Sequence, residues 1–180
     1  GKSTLLRLMA GILAPTSGTV YQRPGKTASL LTLGLGFRPD LSGRNNAKLA
    51  AMLQGSTQKQ ALGYLEEIKE FSDLGDSFEE PVKTYSSGMR ARLGFTTALK
   101  THVDILLMDE VLSVGDAQFR EKASAAMSSR IRGDQTVVFV SHSENQISKI
   151  CSRAVCLHKG RILAEGDPDE VLGAYGGVLA

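Results

Sequence analysis

Two uninterrupted apolar runs, "ILLM" at residues 105–108 and "VVFV" at residues 137–140, do most to restrict what this chain can fold into. Each has the length of a strand and ends in polar residues, and neither alternates apolar with polar. Such a run suits a strand covered on both faces, as in a parallel sheet with helices packed on either side. Between them, residues 117–131 carry Phe119, Ala123, Ala126, Met127 and Ile131 on one helical face, which predicts a crossover helix. The three segments therefore read as a βαβ unit with a right-handed connection. Ligands of such sheets bind beyond the carboxyl ends of the strands. The sequence places Asp109, Glu110 and His142 there.

The chain opens "GKST", Gly1-Lys2-Ser3-Thr4, directly before an apolar-rich segment at residues 5–10 that reads as a helix. A Gly-Lys-Ser/Thr triplet closes a P-loop, whose backbone N–H groups cradle phosphates while the Lys reaches the outer phosphates and the hydroxyl holds Mg²⁺. From ordinary residue frequencies the triplet arises by chance in roughly one chain in ten of this length, so alone it decides little. A phosphate at the start of that helix meets free N–H groups and the positive end of the dipole. Paired with Asp109 and Glu110 it has a use: Ser3 and Asp109 share a metal that bridges the phosphates, and Glu110 polarises a water. His142, at the end of the neighbouring strand, is placed to donate to the terminal phosphate. His102 and His158 lack that placement and read as structural.

Composition narrows the class. The 180 residues are 42% hydrophobic and 22% charged, enough for one sizeable core. A net charge of +2 supplies no large field, so bulk electrostatics favours neither nucleic acid nor an anionic membrane. The apolar runs are too short to span a bilayer and no signal sequence is visible, so a membrane role requires a partner. Cys151 and Cys156 lack zinc-like companions and read as buried structural thiols.

Elsewhere, Thr19, Val20 and Tyr21, and then residues 28–33, read as short strands, and residues 34–43 as a loop. Helical signal returns at residues 46–53 and is strongest at 58–72, where Ala61, Tyr64, Leu65, Ile68 and Phe71 share a face. Ser86 and Ser87 are placed to cap a further helix that begins around Gly88. A serine-glycine turn at a helix start is an anion-binding device. A second such device in one chain makes sense if it faces another molecule. The tail predicts a hairpin turning at Lys159 and Gly160, then a helix capped by Asp167 with Pro168 first and Glu170 in the first turn.

In order, "GKST", a helical insert, "YSSGM", "ILLMDE", "SVGD" and "VSHS" resemble the ATP-binding subunit of ABC transporters over the whole chain. The resemblance implies an α/β fold of P-loop NTPase type: a mostly parallel sheet flanked by helices, with a helical subdomain at residues 44–100 inserted into one domain. Gly1, Lys2, Ser3 and Thr4 then end the Walker A motif; Ser86, Ser87, Gly88 and Met89 stand at the ABC signature; Asp109 and Glu110 end Walker B. Residues 113–116, closing with Asp116, look like the D-loop, and His142 like the switch histidine. "LGLGFRPDLSGRNN", "PVKTYSSGMRARLGF" and "LLMDEVLSVGDAQF" resemble the exporters of polysaccharide, O-antigen or teichoic acid.

The resemblance further implies an ATPase using ATP and Mg²⁺, with Ser3 and Asp109 as metal ligands and Glu110 and His142 as catalytic groups. Two copies close head to tail on ATP and drive a membrane permease through the helical insert and the loop at residues 34–46. The protein is expected at the cytoplasmic face of the membrane, touching it only through the permease, and without nucleic acid. Three departures qualify this. The stretch at residues 33–37 has no glutamine where the family usually has one, Asn45 stands where the branch often has Glu, and Ser87 replaces a glycine. The first five Walker A residues, the preceding strand and the adenine-stacking aromatic are missing, so the chain is expected to be a fragment. Losing about three charge-assisted bonds at roughly 1.5–3 kcal/mol each predicts ATP binding weakened at least about a thousandfold. The alternatives are a soluble ABC ATPase acting on nucleic acid or ribosomes, and an inert fragment that only self-associates.

Overall fold

The structure is a computed structural model that describes residues 1–31, 36–109, 115–131, 133 and 135–179. In chain order the elements are α1 (Lys2–Met9), β1 (Ala28–Leu31), α2 (Gly43–Leu53), α3 (Gln58–Ser72), α4 (Ser87–Lys100), β2 (Ile105–Asp109), α5 (Ala117–Ile131), β3 (Thr136–Val140), α6 (Glu144–Ile150), β4 (Ala154–His158), β5 (Arg161–Gly166) and α7 (Pro168–Leu179).

β1, β2 and β3 form a parallel sheet in that order, with Leu31 opposite Met108 and Asp109 opposite Val140. The central strand is the most apolar because both its faces are covered: Leu106, Leu107 and Met108 are fully buried. Leu106 and Met108 join Phe95, Leu99, Phe119, Ala123 and Met127 in one core, under α4 and α5. Side chains alternate along a strand, so Leu107 takes the opposite face. There α1 packs against β1 and β2 and buries Leu6. Sequestering each of these large apolar side chains contributes about 1.5–3 kcal/mol.

Apart from an isolated bridge between Ser42 and Pro81, everything described between β1 and β2 is helical or loop, and it has a core of its own: Ala47, Leu65, Ile68, Phe78, Val82, Tyr85 and Leu93. The wall between the two cores is α4, which gives Leu93 to one and Phe95 to the other and is buried continuously from Leu93 to Leu99. α3 starts with a full capping box: the Thr57 hydroxyl accepts from the Gln60 N–H, and the Gln60 side chain accepts in return from the Thr57 N–H. The tail is the predicted antiparallel hairpin, β4 with β5, followed by α7. No helix among the described residues is long and apolar enough to cross a membrane.

Five expectations are corrected. Thr19, Val20 and Tyr21 form no strand; Tyr21 is 84% exposed, and among the described residues nothing lies alongside to satisfy a ladder. β3 is half-buried rather than buried on both faces, because among the described residues it is an edge strand. α1 begins at Lys2 rather than Leu5, and α2 at Gly43 rather than Asn46. Of the two cysteines expected to be buried, Cys156 is and Cys151 is only half so. Burial still pushes the Cys151 thiol pKa up.

Candidate functional site

The start of α1 carries no side-chain cap. Its first turn is Lys2, Ser3 and Thr4, and the first backbone bond runs from the Leu5 N–H to the Gly1 carbonyl at 3.0 Å. The N–H groups of the preceding three residues therefore have no partner within the helix, and no capping side chain takes them. Gly1 sits beside the β4–β5 turn; a Cβ there would lie 3.9 Å from the Gly160 Cα.

Lys2 lines a cavity with Ser141, His142 and Glu144, all just beyond the carboxyl end of β3. The floor of that cavity is apolar and comes from Val155, Cys156 and Leu157 of β4 and Val171 of α7. The backbone on either side of His142 is fixed locally. The Ser141 hydroxyl accepts from the Ser143 N–H at 3.0 Å and donates to Gln146 Oε1 at 3.0 Å. Asp109 belongs to the same end of the sheet, since its register partner Val140 directly precedes Ser141. It is half-buried, and its carboxylate has no hydrogen bond or ion pair among the described residues. Glu110, the expected base, lies outside the described residues, as do Ser113, Val114 and residues 33–35.

The serine-rich turn is elsewhere. The Ser86 hydroxyl accepts from the Met89 N–H at 3.2 Å and so caps α4, as its position predicts. Ser86 and Ser87 are exposed. Ser86, Gly88 and Met89 line a second, open pocket with Arg92, Gly115 and Asp116. One chain thus brings Lys2 and His142 together, with Asp109 at the same sheet end, and groups the turn with Asp116 in a separate place.

Two residues that position these segments carry no clear mark in the sequence. Asn46 is buried and binds the loop before α2 from inside: its amide donates to the carbonyls of Arg38, Leu41 and Ser42 at 3.0 Å, and its oxygen accepts from the Arg38 N–H at 2.7 Å. The adjacent Asn45, singled out in the sequence, is exposed. Arg92 pairs with Asp116 and lies 5.2 Å over the Phe119 ring. Nothing in the sequence marked either role.

A family model described as ABC transporter matches residues 1–113. The chain is 41% identical over 180 residues to the O-antigen export system ATP-binding protein RfbB of Klebsiella pneumoniae, covering 100% of this chain and 73% of that protein. With the teichoic acids export ATP-binding protein TagH of Levilactobacillus brevis it shares 42% over 175 residues, 97% of this chain and 48% of that one. Its fold matches a solved ATP-binding subunit of an ABC transporter at a TM-score of 0.83 and 19% identity, over 98% of this chain and 78% of the other. It also matches a dimeric, post-hydrolysis ATP-binding cassette bound to ADP and Pi at a TM-score of 0.73 and 22% identity, over 93% and 81%. With the lysine–histidine cavity and the parallel sheet already in place, these likenesses establish that the chain belongs to the ABC transporter family, as one of its ATP-binding proteins.

Proposed function

We propose that this chain is the ATP-hydrolysing subunit of a transporter that exports a lipid-linked polysaccharide or a related polymer across the cytoplasmic membrane. The observation that carries the reading is the shared cavity of Lys2 and His142 at the sheet end where Asp109 stands. Lys2 and the N–H groups of the first turn of α1 bind the phosphates, and His142 donates to the terminal one. The donor set fits Mg²⁺: an exposed hydroxyl at Ser3 and a carboxylate at Asp109 that has no partner among the described residues, both hard oxygen ligands. When bound, Mg²⁺ neutralises charge on the phosphates. Glu110, next in sequence to Asp109, takes the proton from the attacking water.

The second pocket explains why the serine-rich turn stands apart from Lys2. In a head-to-tail pair, Ser86, Ser87, Gly88 and Met89 of one copy meet ATP held by the other, with Asp116 at the seam. Residues 44–100 act as the helical subdomain that transmits closure to a permease, and the protein sits at the cytoplasmic face through that permease. The names of the similar proteins, for O-antigen and teichoic acid export, support a polymer as cargo.

The test is Glu110→Gln in the protein carrying this chain. ATP binding and ATP-dependent self-association persist while turnover falls about a hundredfold or more, the usual contribution of a general base. Undiminished turnover would remove Glu110 from the mechanism.

A further inference from the structure

We infer that Arg92 is a positioning residue that clamps the serine-rich turn to the Gly115–Asp116 segment, so that the two present to a second copy as one rigid surface. The inference rests on the paired arrangement proposed above. Arg92 stands on α4 in the turn after the Ser86 cap, and its guanidinium pairs with the Asp116 carboxylate. The other oxygen of that carboxylate accepts from the Phe119 N–H at 2.9 Å and so holds the start of α5. A single carboxylate thereby joins the beginnings of two helices that are distant in sequence.

Arginine is the side chain this geometry requires. The guanidinium lies 5.2 Å over the Phe119 ring while reaching Asp116, a planar group used on its face and its edge at once. Lysine offers a point charge and only part of that contact. The Gly115 end is fixed from the same ring: its φ is +77°, and a Cβ there would lie 2.9 Å from Phe119 Cδ1. A contribution to stability alone accounts poorly for the pair, because the Asp116 side chain is 59% exposed and exposed ion pairs are worth little. What the pair does is fix one pocket wall relative to the other. A displacement of about 1 Å at a site completed across two chains is enough to cost about a hundredfold in rate.

Amide hydrogen exchange on the chain with and without Arg92→Gln tests this without relying on activity. The two reporters are the Met89 N–H, held by Ser86, and the Phe119 N–H, held by Asp116. Both exchange about tenfold faster in the variant, and Arg92→Lys falls between. Acceleration at only one of them, or at neither, overturns the clamp. In the protein carrying this chain, Arg92→Gln lowers turnover about tenfold or more. ATP affinity in the unpaired state stays within about twofold, and the thermal midpoint within about 3 °C. Turnover equal to that of the parent overturns the positioning role while leaving the ATPase reading intact; a parent that hydrolyses no ATP defeats that reading, and the exchange result still decides the clamp.

Discussion

Lys2 and His142, far apart in the sequence, line one cavity at the carboxyl end of the parallel sheet. The cause is topological. α1 lies on the face of β1 and β2 with its start at that end, and the parallel register brings the end of β3 level with Asp109. A lysine at a helix start and an imidazole beyond β3 thereby share one cavity, with a carboxylate at the same end of the sheet. In the proposed function, the polar rim of that cavity faces the phosphates.

Gly115 is set by steric limits as well as by conformation. Gly115→Ala places a methyl group against the Phe119 ring in a left-handed backbone, and is expected to destabilise the chain by about 1–3 kcal/mol. Gly18 has a φ of +79°, but a methyl group added there would meet no atom within 4 Å, so Gly18→Ala isolates the backbone part and costs about 1 kcal/mol. Urea unfolding of the two variants measures the difference; equal losses would show that Phe119 exerts no constraint.

Ser42 and Ser86 cap their helices alike, each hydroxyl accepting from the N–H three residues on at 3.2 Å. Replacing either by Ala is expected to cost about 1 kcal/mol. Only Ser86→Ala should also weaken ATP-dependent self-association, because in the proposed head-to-tail pair only that turn meets the second copy. Sedimentation with and without ATP separates a cap from a contact: equal effects of the two variants would reduce Ser86 to a cap.

Asp104 holds the entry to the sheet. It pairs with Lys26 at 2.7 Å and accepts from the Thr27 N–H at 2.9 Å and the Thr27 hydroxyl at 3.0 Å, fixing the start of β1 against β2. Chiefly through the Lys26 hydrogen bond, and then that from the Thr27 N–H, its pKa falls from 3.8 to about 2. A carboxylate whose folded pKa lies below its unfolded value stabilises above the unfolded value, and that stability fades as pH falls through the folded one. The contribution should be constant at neutral pH and disappear between about pH 4 and pH 2. Asp104→Asn should flatten the acid limb of the stability curve there, and an NMR titration should find the carboxyl midpoint near 2. A midpoint near 4 would show that the Lys26–Thr27 clasp does not form in solution.

The sequence was most legible where one physical pattern dominates. The boundaries of α3 and α5 follow from uninterrupted helical periodicity, and that of β2 from an apolar run closed by a carboxylate. Ser86 as a cap was legible because local chemistry alone decides it. Val20 and Tyr21 misled because strand propensity measures fit to a pleated, half-buried surface, and no such surface lies beside them. The run at residues 137–140 looked like a central strand, but the position of a strand in its sheet depends on neighbours that its own composition does not specify. The early start of α2 comes from Ser42 as its cap and from Gly43 fitting beneath Tyr85, where a side chain would collide with the Tyr85 hydroxyl. Lys2, Asp109 and His142 stood out as parts of motifs. Arg92 and Asn46 did not, because each acts through partners that are brought close only by the fold.

Mixing two inactive variants of the protein carrying this chain tests the shared site most directly. In the proposed arrangement, Lys2→Ala disables the phosphate cradle of its own chain, and Gly88→Asp puts a carboxylate in the turn offered to the other. In a head-to-tail pair, a mixed dimer keeps one site built from the intact cradle of one copy and the intact turn of the other, so ATP hydrolysis should reappear on mixing. If each chain holds a complete site by itself, every copy in the mixture carries a lesion, and hydrolysis stays at the level of the separate variants.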